Sequence, residues 1–355
     1  MGIVSRFWEQ LSRRIAAAGL ILPLLVGCAG SAPDRAPVSR SSGRYVMGTV
    51  LEITVAAPTE AEATAAMEEL FRLATELERV FTVFEPESPL RRLNRRAGGG
   101  PQLLDPEIAH ILVESVAYWR LTGGTFDVTV GPLVDLWRLA VRRNEPPGET
   151  ELAASLALVG SDKILVGKGD SVALERQGMS VNLGGIAKGY ALDRMEEQLR
   201  ARGISKAFVS FGQSSIMAVG APTGAPGWRV LLKDAGEGFA GVATLRDQSL
   251  SVSASFGQWS EIAGRRYGHV IDPRSGEALT RAAQAAVLAP SGALAEALSK
   301  SLLILTPQAG LALLEDQSEV EGLLIEADGA TRATRGWARA VAFESLGGEG
   351  GGRPK

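Results

Sequence analysis

Cysteine and histidine are scarce in this chain of 355 residues, which holds one cysteine, Cys28, and two histidines, His110 and His269. A lone thiol excludes a disulfide within one chain. Excess charge is missing too: 37 basic residues stand against 40 acidic ones. Removing residues 1–27 takes away Arg6, Arg13, Arg14 and Glu9, so the remaining body is mildly acidic. Such a body is poorly suited to a phosphate backbone, which is bound through clustered Lys and Arg, and nucleic acid is excluded as a main partner. Nor is there an apolar run of the roughly 20 residues that a membrane-spanning helix needs. The longest, "IAAAGLILPLLVG" at 15–27, has the length of a signal-peptide core and follows the basic Arg6, Arg13 and Arg14.

What is present begins where that run stops. "LVGC" at 25–28 resembles the lipobox of bacterial lipoproteins and places the sole cysteine on the residue that would carry the lipid. Residues 1–27 are therefore expected to be a lipoprotein signal peptide. Residues 28–43, lipidated Cys28 followed by "AGSAPDRAPVSRSSG", are expected to be a flexible tether. The protein would hang from a membrane on the periplasmic or extracytoplasmic side. The folded part is expected over 44–346, with "GGEGGGRPK" at 347–355 a disordered tail.

The folded part opens with "YVMGTVLEITV" at 45–55, whose β-branched residues suit a strand. Thr59 and Glu62 form a T-x-x-E capping box, and Met67, Leu70, Phe71, Ala74 and Leu77 follow at three- and four-residue spacing; a helix is predicted over 59–80. Asp105-Pro106 starts a second helix with Ile108, Ile111, Leu112 and Trp119 on its apolar stripe, and His110 lies off that stripe as a surface residue. Between 203 and 290, short β-like runs such as "AFVSFG", "GWRVLLKD" and "AAQAAVLAP" alternate with Gly and Pro turns. Strands clustered between helices predict an α+β fold, layered, with largely antiparallel sheets and packed helices.

Three glycine-containing stretches carry chemistry. "FDVTVGPLVDLW" at 126–137 runs from a strand-like half into an apolar segment. "VNLGGIAKGYALDRM" at 181–195 reads as an apolar strand, two glycines, then a helix with Lys188 in its first turn. A glycine turn feeding a helix N-terminus presents unpaired N–H groups that favour phosphate, and a lysine beside it adds a point charge; a tight strand-to-helix connection would need the same glycines. "RRYGHVIDPRSG" at 265–276 places one of the two histidines beside an Asp-Pro turn.

The order "MGTV", "FDVTVGPLVDLW", "VNLGGIAKGYALD", "GHVIDPRSG" and "LAEALSKSLLIL", together with "FTVFEPESPLRRLNR" at 81–95, closely resembles the ApbE family of FAD:protein FMN transferases from about Tyr45 to Phe343. The resemblance implies an exported enzyme that moves the FMN half of FAD onto a Thr or Ser hydroxyl of a target flavoprotein and releases AMP. It implies FAD contacts at Met47, Phe84, Asp127, Asn182, Gly184, Gly185, Lys188 and His269, with His269 catalytic as a base or as a donor to the phosphate. Asp272 and Pro273 would shape its turn, and Arg274 would reach a phosphate or pair with an acid.

Magnesium in this family is held by a carbonyl of the Gly-Gly loop and by the Asp and Thr of "A-D-A-L-S-T". Here Gly185 keeps the carbonyl position, but "AEALSK" puts Glu296 for the Asp and Lys300 for the Thr, and Asn182 stands for an Asp in "L-D-L-G-G". A protonated lysine has no lone pair to offer and repels the ion. Glu296 and Lys300, four residues apart, are also an ordinary favourable pair for a helix surface. Three outcomes follow: an active transferase, a catalytically impaired FAD-binding lipoprotein, or an FAD pyrophosphatase giving FMN and AMP.

Overall fold

A computed structural model describes residues 37–233, 238–255, 257–341 and 344–345. Cys28, the expected signal peptide and the expected tail at 347–355 lie outside the described residues. In chain order the elements are β1 (Val38–Val46), β2 (Thr49–Ala57), α1 (Glu60–Phe81), α2 (Pro89–Arg95), β3 (Gln102–Leu103), α3 (Pro106–Leu121), α4 (Gly131–Arg143) and α5 (Glu149–Leu156). There follow β4 (Ile164–Val166), β5 (Ser171–Leu174), α6 (Ala187–Ala201), β6 (Ala207–Phe211), β7 (Ser215–Val219), β8 (Trp228–Lys233), β9 (Phe239–Leu245) and β10 (Gln248–Ala254). The chain continues through β11 (Trp259–Ile262), β12 (Arg265–Gly268), β13 (Ala283–Ala289), α7 (Gly292–Ile304), α8 (Pro307–Glu315), β14 (Glu321–Glu326), β15 (Thr331–Ala333), α9 (Trp337–Ala340) and β16 (Glu344–Ser345).

An eight-stranded sheet of order β1-β2-β6-β7-β10-β13-β14-β15 is antiparallel throughout, and a three-stranded sheet of order β16-β9-β8 accompanies it. Period-2 alternation sorts the large sheet's residues onto two faces. Along β13, Ala283, Ala285, Val287 and Ala289 meet Leu298 and Leu302 of α7, while Ala286 and Leu288 meet Val230 and Leu232 of β8 and Ala243 and Leu245 of β9. Both faces are covered, so all seven residues of β13 are buried, and all but Gln284 are apolar. The α+β expectation of antiparallel sheets packed with helices holds.

Local chemistry sets the helix starts. The Thr59 hydroxyl accepts from Glu62 N at 3.2 Å and Glu62 Oε2 accepts from Thr59 N at 3.0 Å, which closes the capping box of α1. Asp105 Oδ1 accepts from Glu107 N at 3.0 Å to cap α3. His110 is exposed on that helix, with Nδ1 2.9 Å from Tyr190 Oη.

Three local expectations are corrected. The strand expected at 45–55 is a hairpin, because Met47 (φ 52°) and Gly48 (φ 75°) turn the chain left-handed between β1 and β2. The tether expected to run to residue 43 stops earlier. β1 begins at Val38 and pairs with β2 from Val38↔Ala57 to Val46↔Thr49. Composition misses this edge strand because backbone pairing, more than side-chain burial, holds it; Arg40 adds an ion pair to Glu60. The expected strand before Gly184 is irregular chain: Val181 N donates to Asn94 Oδ1 (2.8 Å), Val181 O accepts from Asn94 Nδ2 (2.9 Å), and Asn182 N donates to Val128 O (2.7 Å). The Asn94 side chain replaces a strand partner.

Candidate active site

Two adjoining cavities open at the Gly184-Gly185 turn. The larger, of about 630 Å³, is lined by Asn182, Gly184, Gly185, His269 and Lys300, with Trp137 and Tyr267 on its apolar side. The smaller, of about 330 Å³, is lined by Met47, Gly48, Thr49, Lys188 and Ser214. Gly184 and Gln258 belong to both. Of the expected FAD contacts, Met47, Asn182, Gly184, Gly185, Lys188 and His269 are therefore brought together across a sequence separation of 222 residues from Met47 to His269.

Helices α6 and α7 supply the charge. Lys188 stands at the second position of α6, and its Nζ donates to Ser214 Oγ at 3.0 Å. Glu296 on α7 is only 1% exposed. Its Oε1 accepts from Ser215 Oγ at 2.5 Å and lies 4.0 Å from Lys188 Nζ. Lys300 Nζ donates to the Glu296 carbonyl at 3.2 Å and lies 3.8 Å from Glu296 Oε2, a buried oxygen with no hydrogen-bond donor among the described residues. Glu296 and Lys300 are thus not the surface pair that their spacing permits. One buried carboxylate sits between two ammonium groups. Burial pulls the Lys300 ammonium below the usual lysine range, Lys188 pushes it the same way, and Glu296 opposes both.

The start of α7 is fixed by Asp193 of α6. Its carboxylate accepts from Ser291 Oγ (2.8 Å), Gly292 N (2.6 Å) and Ala293 N (2.9 Å), and Ser291 Oγ accepts in turn from Leu294 N. Orphan N–H groups at a helix start need such acceptors. Sequence reasoning passes over Asp193. Its signal is the Ser291-Gly292 helix start, which becomes specific only once α6 is known to lie beside it.

His269 follows β12. Both its backbone N (3.1 Å) and its Nδ1 (3.0 Å) meet the Gln258 carbonyl. A carbonyl can only accept, so the proton resides on Nδ1 and leaves Nε2 as a free lone pair. Packing around the ring lowers its pKa below the usual imidazole value; Lys300 and Lys188 act in the same direction, and the Gln258 carbonyl opposes. Arg274 forms a fork with Asp272, Nε to Oδ1 at 3.0 Å and Nη2 to Oδ2 at 2.8 Å. Of its two expected roles, it takes the pairing with an acid.

The two remaining expected cofactor residues, Asp127 and Phe84, differ in placement. Asp127 borders the larger cavity, but its carboxylate is spent inside the protein: Oδ1 accepts from Thr129 N (2.7 Å), Thr129 Oγ1 (2.6 Å) and Ser161 Oγ (2.7 Å), and Oδ2 accepts from Ser161 N (2.9 Å). Burial pushes this carboxyl up, against those hydrogen bonds. It clamps the 126–130 segment to the Gly160-Ser161 turn. Phe84 is 75% exposed after α1 and lines neither cavity. Asn182 Oδ1 accepts from Gly184 N at 2.9 Å and shapes the glycine turn.

The magnesium position implied by the resemblance does not fit these residues. A Cβ added to Gly185 would stand 3.3 Å from Lys300 Cε, so the lysine stem already packs on the glycine whose carbonyl would ligate. An ammonium about 4 Å from a divalent ion repels it by roughly 8 kcal/mol at an effective dielectric of about 20.

The chain is similar to known proteins in sequence and in fold. A family model described as ApbE family matches residues 47–324. An FAD:protein FMN transferase of Treponema pallidum is 30% identical over 338 residues, covering 90% of this chain and 93% of its own. One from Klebsiella pneumoniae is 28% identical over 262 residues, covering 72% and 80%. Among solved structures, the flavin transferase ApbE of Vibrio cholerae superposes with a TM-score of 0.74 at 24% identity, over 85% of this chain and 99% of that one. An ApbE protein of Thermotoga maritima gives 0.77 at 22% identity, over 86% and 99%. At these identities the structural likeness speaks to the fold.

Proposed function

The chain belongs to the ApbE family, and from that premise we propose that it is an FAD:protein FMN transferase. It moves FMN from FAD to a Thr or Ser hydroxyl of an acceptor flavoprotein and releases AMP. The observation that carries this reading is the meeting of Lys188, Lys300, the Gly184-Gly185 turn and His269 Nε2 around one pair of joined cavities. Two phosphates need cationic and N–H donors, and the attacking hydroxyl needs a base.

The acceptor oxygen attacks the phosphorus of the FMN half. The bond from that phosphorus to the bridging oxygen breaks, and AMP leaves with that oxygen. The hydroxyl proton passes to His269 Nε2, which is free because Nδ1–H is committed to Gln258. No step is assigned to a metal.

Cys28 is, in this reading, lipidated and holds the enzyme at the extracytoplasmic face of a membrane; the support is the basic Arg6, Arg13 and Arg14 ahead of an apolar run that ends in "LVGC". Among the described residues no helix is long and apolar enough to cross a membrane.

Mass spectrometry of an acceptor incubated with FAD tests the activity. The expected result is an FMN mass shift with AMP formed in equal amount. AMP without the shift would make the protein a pyrophosphatase, and neither product would leave it a flavin-binding or structural lipoprotein.

A further inference from the structure

We propose that Lys300 is a built-in cation of the pyrophosphate site, so that this protein binds the two phosphates of FAD without a divalent metal. The inference rests on the FAD reading above and concerns how the same site holds its substrate.

Three features support it. The first is charge. Glu296 brings one negative charge between Lys188 Nζ at 4.0 Å and Lys300 Nζ at 3.8 Å, and the cluster carries a surplus positive charge. A divalent cation placed there would meet two ammonium groups and a single carboxylate, whereas a pyrophosphate would be attracted by the same surplus charge. The second is placement. Lys300 lines the larger cavity with His269, Gly184 and Gly185, and Lys188 lines the smaller one across Gly184. The two ammonium groups therefore flank the glycine turn from its two sides. The third is anchorage. Lys300 Nζ is held by the carbonyl one turn back, and its stem rests on Gly185, which fixes the charge in advance of the ligand. Lysine is a compact point charge suited to phosphate oxygens. Burial lowers its pKa, and an arriving pyrophosphate favours the protonated form by adding negative charge nearby.

Glu296 is then a positioning residue. It holds both ammonium groups close together, and its hydrogen bond from Ser215 fixes it in turn.

The test is calorimetric titration of the whole protein with FAD, ADP and riboflavin, in EDTA and in millimolar Mg²⁺, paired with electron paramagnetic resonance of added Mn²⁺. Wild type is expected to bind FAD and ADP equally in the two media, within about twofold, and to leave Mn²⁺ free. Lys300→Met should weaken FAD and ADP by at least about tenfold while leaving riboflavin unchanged, because riboflavin has no phosphate. Lys300→Thr should weaken FAD in EDTA, regain affinity in Mg²⁺ and immobilise Mn²⁺. Should Lys300→Met fail to fold, Lys300→Arg, which keeps the charge, and the wild-type comparison carry the test. Wild-type FAD affinity that collapses on chelation, or stoichiometric Mn²⁺ binding by wild type, overturns the inference and leaves the transferase reading standing. FAD bound equally in both media with no FMN transferred to any acceptor contradicts the transferase reading and leaves the lysine cradle standing.

Discussion

Gly189 of α6 and Gly292 of α7 meet backbone to backbone: a Cβ on Gly189 would lie 2.3 Å from the Gly292 carbonyl oxygen, and one on Gly292 would lie 2.7 Å from the Gly189 carbonyl oxygen. No side chain fits between them, and neither obstacle is a flexible group that can move aside. This crossing sets the distance between Lys188, one residue before Gly189, and Glu296, one turn after Gly292. Gly189→Ala is therefore expected to force the helices apart, cost about 1–3 kcal/mol of stability as overpacking does, and weaken FAD at least about tenfold. Thermal unfolding and calorimetry measure the two effects; a variant with native stability and affinity would show that the crossing does not set the site.

Lys188→Ala should weaken FAD by about tenfold and riboflavin by less than about twofold, since a lysine at the start of α6 acts on phosphate and not on the isoalloxazine ring. Equal losses for both ligands in a calorimetric titration would remove Lys188 from the phosphate site.

His269 should titrate below the ordinary imidazole value of about 6.5, because burial and two ammonium groups disfavour its charged form. With only two histidines in the chain, its ring proton can be followed by NMR. Replacing Lys300 by Met removes one of those charges, so the titration should move up. The acid limb of the transfer rate should move with it. A midpoint above 6.5 in wild type would contradict the assignment of Nε2 as a base poised in its neutral form.

How much of this was legible in the sequence depends on the range of the forces involved. The starts of α1 and α3 were readable because a cap and its acceptor lie within three residues, as in Thr59 and Glu62. Lys188 beside the Gly184-Gly185 turn and His269 beside its Asp-Pro turn stood out locally, but their assignment to FAD came from the family resemblance. Position 47 concealed the hairpin, because a methionine with φ 52° carries no turn signature. Asp127 was expected at FAD from the family resemblance alone; that its carboxylate is already satisfied shows only in the fold, because its partner Ser161 lies 34 residues away. For Glu296 and Lys300 the four-residue spacing reveals that they share a helix face. That the face is buried against Ser215 and Gly185 comes from the sheet and the glycine turn.

Asp193 makes a further prediction about pH. Burial pushes its carboxyl up to about 7, against three hydrogen bonds that favour the ionised form. The folded state then keeps a proton that the unfolded chain loses near pH 4, so stability should fall as pH rises from about 4 to about 7. Asp193→Asn should flatten that part of the curve and cost about 1–2 kcal/mol through poorer capping of α7. Denaturant midpoints across this range give the slope. An unchanged slope in the variant would assign the pH dependence to other groups.

Cys28→Ser should leave the protein unlipidated, because no other thiol exists to accept the lipid. Fractionation and mass measurement of the N-terminal part check this; membrane association and processing equal to wild type would contradict the anchor.

Single-turnover transfer in EDTA, with acceptor mass and AMP followed together, tests the central claim most directly. Wild type should form FMN-modified acceptor and AMP in equal amounts and at rates unaffected by added Mg²⁺, and His269→Ala should form neither at a comparable rate. AMP without modified acceptor, or modification that appears only when Mg²⁺ is supplied, would contradict a transferase that uses His269 as base and Lys300 as its cation.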